Sequence, residues 1–440
     1  MKIIVAIDSF KGSITSYEAG NAIKAGILES CPEENIKVYP VADGGEGTLE
    51  ALSFSCCNEK NIPDENVVMS QEVNVTGPLG DRILAKYYIL CKPESYAQYG
   101  EDMERKEDKM YSSVQHKTAI IEMSSAAGLP LVPEDKRNPL HTTTYGVGEM
   151  IRDAIGKGCR DFIIGIGGSA TNDGGIGMLQ ALGYRFVDGK GNDVPYGGAG
   201  LEQLQDIYFE DAMYELSGCT FRVACDVTNP LTGKNGSSYV FSPQKGATPD
   251  MIVRMDNAMT KYANLVEHVA MCDMGAIHGL WSRKCEELSK NKDKNVVINR
   301  DYPGAGAAGG LGYAFLMFLN GTLESGVDIV LSELGIEEDI KDADLVITGE
   351  GKIDSQSING KTPIGVARLA KKYGKKVIAF AGLVDDSSKS LTKLGLIDEI
   401  YEVDRKGMDL QDAMKRDNAI ANLKGTVKNI FASNINKFGK

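Results

Sequence analysis

Three short stretches of this chain set charge beside glycine just past an apolar run: DSFKGS (8–13), ADGGEGT (42–48) and ITGEGKID (347–354), with lysine and carboxylate in the first and third and carboxylates alone in the second. Lysine offers a point charge to phosphate or carboxylate oxygens, a carboxylate can take a proton or join a hard cation, and glycine lets backbone N–H groups approach an anion. One such stretch is ordinary solvated loop; three at three strand ends point to phosphate or carboxylate recognition. A fourth, GIGGSATNDGGIG (165–177), follows the apolar Phe162–Ile164 and sets Ser169, Thr171, Asn172 and Asp173 among six glycines. Its first half fits the dinucleotide fingerprint GxGxxG/A, and Asp188 stands about where a ribose-binding acid would. The TNDGG that follows makes the loop longer and more polar than such a turn. Dinucleotide loop, phosphate cradle and plain tight turn all stay open on this stretch alone.

PGAGAAGGLG (303–312) holds a second fingerprint match, so the pattern by itself decides little. SQSINGKT (355–362) nearly matches a P-loop, but it starts with Ser355 and lies several residues past its strand. A true P-loop is rejected, while Gly360 and Lys361 just ahead of a helix remain a reasonable anion contact. VACDVTNPL (223–231) adds Asp226 and Asn229 at a strand end, and PQKGA (243–247) adds Lys245 before a glycine.

These loops need a scaffold, and the hydrophobic pattern supplies one. KIIVAID (2–8) reads as a buried strand. A helix begins near Thr15, where Thr15 and Glu18 have capping-box spacing, and its apolar face continues through Ala22, Ile23 and Ile27. A second strand (36–41) leads to a helix starting near Thr48, giving the β–loop–α alternation of a parallel sheet. Near Val73 the style changes to short alternating strands about Gly77-Pro78, which marks an inserted domain. The parallel style returns from about 301, with DADLVITGEG, a helix for which Thr362-Pro363 serve as N-cap and N1, the strand VIAFAG (377–382), and a polar helix after about Asp409. The expected fold is therefore α/β, a Rossmann-like parallel-sheet domain (1–73 and 300–440) interrupted by an inserted second domain (74–299). Charged segments at 92–117 and 272–300 read as surface excursions.

Bulk properties narrow the classes. A chain of 440 residues is too long for a single core. Its formal charge of −13 disfavours nucleic acid as a partner. No run approaches the roughly 20 apolar residues that cross a bilayer, and the N-terminus lacks a signal-peptide pattern. Nine cysteines without a CxxC, including the vicinal Cys56-Cys57, and four histidines without metal spacing indicate a reduced, cytoplasmic protein with no zinc site.

Taken together, the blocks resemble the bacterial glycerate kinase family. Beyond those quoted, VTGPLG (75–80), RNPLHTTTYGVGE (137–149) and TPIGVA (362–367) carry the resemblance, in family order over essentially the whole chain. The segments 54–72, 92–117 and 272–300 look longer than the family norm. The resemblance implies the two-domain fold above, with a mixed α/β inserted domain and the active site in the cleft between, ATP and Mg²⁺ as cofactors, and D-glycerate as substrate, with 2- or 3-phosphoglycerate as product. Phosphoryl transfer then asks for a proton acceptor, metal-held phosphates and cations. Asp173 or Asp43 is the expected proton acceptor, with Lys11 also catalytic. Glu350, Asp226 and Glu46 are the expected metal or water-shell ligands. Ser9, Arg137, Lys245, Lys352, Gly360 and Lys361, with Gly167, Gly168, Ser169 and Asn172 of the glycine-rich loop, are the expected phosphate or carboxylate contacts. Backbone N–H groups from Gly167 to Ala170 could cradle an anion. The other readings are a nicotinamide-dependent oxidoreductase of a small hydroxy acid and a non-catalytic small-anion binder. Oligomeric state stays open, a homodimer among the options.

Overall fold

The computed structural model describes residues 1–44, 47–54, 68–92, 116–272, 299–354, 361–385 and 389–438. The chain divides into two compact units: an outer unit of Met1–Pro63 and Ser325–Lys440, and an inserted unit of Asp64–Glu324. In chain order the described strands are β1 (Lys2–Ile7), β2 (Asn35–Pro40), β3 (Val68–Thr76), β4 (Arg82–Lys92), β5 (His116–Glu122), β6 (Asp161–Gly165), β7 (Arg185–Val187), β8 (Asp206–Tyr208), β9 (Thr220–Ala224), β10 (Thr322–Glu324), β11 (Leu345–Ile353), β12 (Lys376–Val384) and β13 (Glu399–Glu402).

The outer unit is built on a five-stranded sheet in the order β13-β12-β11-β1-β2, parallel throughout. Parallel strands need helical crossovers on both faces, which is why Ile3 to Ile7 run as an unbroken apolar stretch with no exposure. The crossover helix Ser16–Ser30 starts with the capping box read from the sequence: the Thr15 hydroxyl accepts from the Glu18 N–H, and the Glu18 carboxylate accepts from the Thr15 N–H. Ala19, Ile23 and Ile27 of that helix share a core cluster with Leu423, Val427 and Phe431 of the C-terminal helix Arg416–Phe438. The helix Thr362–Lys372 departs from expectation. Its N-cap is Lys361, and Thr362 lies inside the first turn with its hydroxyl committed elsewhere.

The inserted unit carries a six-stranded sheet in the order β10-β9-β6-β5-β4-β3. Its β10, β9, β6 and β5 are parallel, and β4 and β3 continue it as an antiparallel hairpin. A separate hairpin pairs β7 with β8. The units divide at 63/64 and 324/325, whereas the sequence reading placed the boundaries at 73/74 and 299/300. The hairpin begins at Val68, ahead of the alternation visible from Val73. Residues 300–324 group with the insertion because the helix Ala307–Phe318 is buried on every side from Leu311 onward, within the inserted unit's core, and because β10 pairs with β9. A helix apolar all round belongs inside a core and cannot pack as an outer layer. Most of 54–72, 92–117 and 272–300, Cys56-Cys57 included, lies outside the described residues. Among the described residues no helix is long and apolar enough to cross a membrane.

Candidate active site

In a doubly wound sheet the loops beyond the carboxyl ends of the strands are the natural ligand site. In the outer unit those ends converge. Asp8 terminates β1 and is buried, accepting from the Ser9 N–H at 2.6 Å and from the Thr362 hydroxyl at 2.7 Å. Burial pushes its carboxyl up to about 6; the Thr362 and Ser9 hydrogen bonds and Lys11 oppose that, and the nearby Asp43 adds to it. The Lys11 ammonium donates to Asp43 at 3.2 Å. Burial alone would lower the Lys11 pKa, but Asp43, Asp8 and Glu350 together hold it above the ordinary lysine value. Glu350 and Lys352 sit on β11 itself, which runs on to Ile353 past the glycines that were expected to end it. The Lys361 ammonium stands 3.8 Å from the buried Glu350 carboxylate, and Lys352 pairs with Asp354 at 3.2 Å.

Five of the residues chosen from the sequence, Ser9, Lys11, Glu350, Lys352 and Lys361, line one cavity of about 280 Å³ in this unit. Asp8 lines it as well, and Phe10, Leu383, Val403, Leu410, Ala413 and Met414 form an apolar wall. Half of this lining suits a polyanion and the other half a flat apolar group. The reading from sequence left Asp8 out, although a lone charge ending the buried run KIIVAI was a signal for it.

Glu46 and Gly360 lie outside the described residues. Among the described residues no three His, Cys, Asp or Glu side chains are grouped as a metal cage. Mg²⁺ does not require one. It takes one or two carboxylates and completes its octahedron with phosphate oxygens and water, so an oxygen donor such as Glu350 in a phosphate-suited cavity fits it.

The inserted unit arranges the glycine-rich loop differently from the sequence expectation. Asp173 is fully buried, and its carboxylate accepts from the Thr144 N–H at 2.8 Å, the Thr144 hydroxyl at 2.9 Å and the Gly175 N–H at 3.1 Å. Burial raises its pKa, and these donors and the Gly177 N–H oppose the rise. Asn172 is equally enclosed, donating to Ser238 and accepting from Ser237, both at 2.9 Å. Lys245 is buried too; its ammonium donates to the Ser169 hydroxyl at 2.7 Å and the Thr171 carbonyl at 2.6 Å, and burial lowers its pKa to about 7. In this structure Asp173, Asn172 and Lys245 therefore hold the loop and have no open face toward a ligand.

What remains open on the loop is its tip. Gly167 and Gly168 are exposed, and Gly168 has φ +70°, the left-handed region that favours glycine. The Ala170 N–H is already used by the Ala127 carbonyl, so it drops out of the expected cradle. Arg137 is half-buried, and its Nε is enclosed with no hydrogen-bond partner among the described residues. An orphaned guanidinium N–H of this kind is costly unless a ligand oxygen meets it. Asp226 lies exposed just past β9 in this unit.

The dinucleotide reading loses its support here. Asp188 follows β7 in the separate hairpin, and its carboxylate accepts from the Lys190 and Asn192 N–H groups at 2.8 and 3.0 Å, closing its own turn. The second fingerprint serves packing: a Cβ on Gly309 would lie 2.1 Å from the Thr171 carbonyl oxygen.

A family model described as the glycerate kinase family matches residues 3–434. The glycerate 2-kinase of Escherichia coli (strain K12) is 43% identical over 91% of this chain and 93% of its own length. The glycerate kinase of Bacillus subtilis (strain 168) is 41% identical over 98% of this chain and 97% of its own. A crystal structure of a Salmonella typhimurium LT2 protein assigned as glycerate kinase 2 superposes with a TM-score of 0.75, at 41% identity, over 99% of this chain and 98% of that one. The chain belongs to the glycerate kinase family, a family of ATP-using transferases.

Proposed function

We propose that this protein, in the cytoplasm, transfers the γ-phosphoryl group of ATP to D-glycerate, and that 2-phosphoglycerate is the product. The observation that carries the nucleotide half of this reading is the outer unit's cavity, lined by lysines and by apolar side chains together. Lys11, Lys352 and Lys361 contact phosphate oxygens, the Ser9 hydroxyl donates to them, and the base lies against the Phe10, Leu383 and Met414 wall. Glu350 holds Mg²⁺, which when bound neutralises charge on the phosphates. Asp226, exposed just past β9, and Glu46 are the other candidates for that role.

In the inserted unit, Arg137 and the Gly167–Gly168 tip hold the glycerate carboxylate; the unmet Arg137 Nε supports this. Lys245, Asn172 and Asp173 act as positioning residues that keep Ser169 and the tip in place. Of the two proton acceptors drawn from the sequence, Asp43 suits the role, since both oxygens of Asp173 are already engaged. Lys11 beside Asp43 orients that carboxylate. The choice of the 2-position follows the name of the E. coli relative. Carbon and phosphorus NMR of the product formed from D-glycerate and ATP tests all of it at once. The expected product carries phosphate on carbon 2; phosphate on carbon 3 overturns the regiochemistry, and no phosphorylated product overturns the reading.

A further inference from the structure

Glu122 ends β5, and its parallel neighbour in register is Gly165, the first residue of the glycine-rich loop. A Cβ on Gly165 would stand 2.2 Å from one Glu122 carboxylate oxygen and 2.6 Å from the other. Glycine at 165 thus opens the space that the carboxyl group occupies. The chain leaves both strands side by side: the Met123 N–H donates to the Gly165 carbonyl at 2.8 Å, and the Leu129 N–H to the Gly168 carbonyl at 2.8 Å. A Cβ on Gly168 would stand 3.8 Å from the Ser124 side chain. Glu122 and the exposed loop tip therefore share one end of the parallel strands, where such sheets bind ligands.

Among the described residues Glu122 has no hydrogen-bond or ion-pair partner. Burial alone pushes its carboxyl up to about 7. A half-buried carboxylate left unsatisfied costs stability, and such costs persist where a ligand group completes the site. An ionised carboxylate only accepts hydrogen bonds, so its complement is a hydroxyl and not a second anion.

We propose that Glu122 contacts the substrate directly, its carboxylate accepting a hydrogen bond from one of the two hydroxyls of glycerate. This rests on the glycerate reading above and adds a residue that distinguishes the hydroxyls. The test compares glycerate with lactate and 3-hydroxypropionate, each lacking one hydroxyl, as competitive ligands of wild type, E122A and E122Q at saturating ATP and Mg²⁺. Loss of a hydrogen bond to a charged group corresponds to about 10- to 100-fold. We expect E122A to raise the KM for glycerate by that factor and to weaken in parallel the analogue that keeps the contacted hydroxyl. The other analogue should bind wild type and E122A equally, and E122Q should fall between them. E122Q should also unfold no earlier than wild type at pH 8, because it removes an unpaired carboxylate. Equal weakening of all three ligands, no weakening of glycerate, a change confined to the Mg²⁺ requirement, or earlier unfolding of E122Q would each overturn the proposal. A wild-type enzyme that binds and turns over no glycerate would instead overturn the reading on which it rests.

Discussion

Replacing Lys245 by methionine probes a buried charge in the inserted unit. The side chain is buried, and its pKa falls from the ordinary 10.5 to about 7 because burial disfavours the ammonium. At about 1.4 kcal/mol for each pH unit, that drop corresponds to roughly 5 kcal/mol. Below pH 7 both folded and unfolded chains hold the proton, and the folded state bears the full cost of the buried charge. Between pH 7 and 10.5 the unfolded chain still binds the proton while the folded chain has released it, so stability from this group rises with pH. Lys245→Met abolishes that rise. It also leaves the Thr171 carbonyl without its donor, a loss of about 1–3 kcal/mol that does not depend on pH. The variant should therefore compare least badly with wild type at pH 6. It should fall behind by roughly a further 3 kcal/mol by pH 9.5. Urea denaturation of both proteins at pH 6, 7.5 and 9.5 measures this, and taking the difference cancels titrations the two share. A wild-type-minus-variant difference that is the same at pH 6 and 9.5 would refute the assignment of Lys245 as a buried, depressed lysine.

Two further perturbations separate the roles assigned above. Ala413→Phe narrows the outer cavity, and Arg137→Ala removes the orphaned guanidinium; the first should raise the KM for ATP about tenfold with little change for glycerate, and the second should do the reverse. Initial rates over both substrates check this, and a common fall in kcat with neither KM moved would sink both assignments. Asp173→Asn puts an amide against donors that expect an acceptor and should cost about 2–4 kcal/mol of stability. Asp43→Asn weakens a partly exposed ion pair with Lys11 and should leave unfolding nearly unchanged while lowering kcat by about 10²- to 10⁴-fold. Normal turnover by Asp43→Asn would remove it as the proton acceptor.

The strand ends of the outer unit were legible because their signature is local. Glycine and charge directly after an apolar run can be read within a dozen residues, which picks out Lys11, Glu350 and Lys352, while Lys361 stands out with Gly360 just ahead of a helix; these four charged residues line the cavity. What failed to show is what distant chain does to a polar group. Thr362 looked like an N-cap because Pro follows it, but its hydroxyl donates to Asp8, and Lys361 holds the N-cap position without a side-chain cap. Asp173 looked like an accessible acid because its neighbours are glycines. Those glycines instead admit close packing, with Gly309 against Thr171 and Gly174 bonded to Gly309, and the acid is sealed beneath them. Residues 303–319 looked like a returning Rossmann turn, yet their unbroken apolar stretch is what draws them into the other core. Glu122 carried only the mark that Asp8 also carried, a single acid ending an apolar strand, and nothing in the sequence separates it from a solvated acid. Its meaning depends on Gly165, 43 positions away and adjacent only once β5 and β6 pair. Composition thus tells where chemistry can occur. Which of the polar residues there holds the loop and which meets the ligand is set by burial and by partners that only the folded chain brings together.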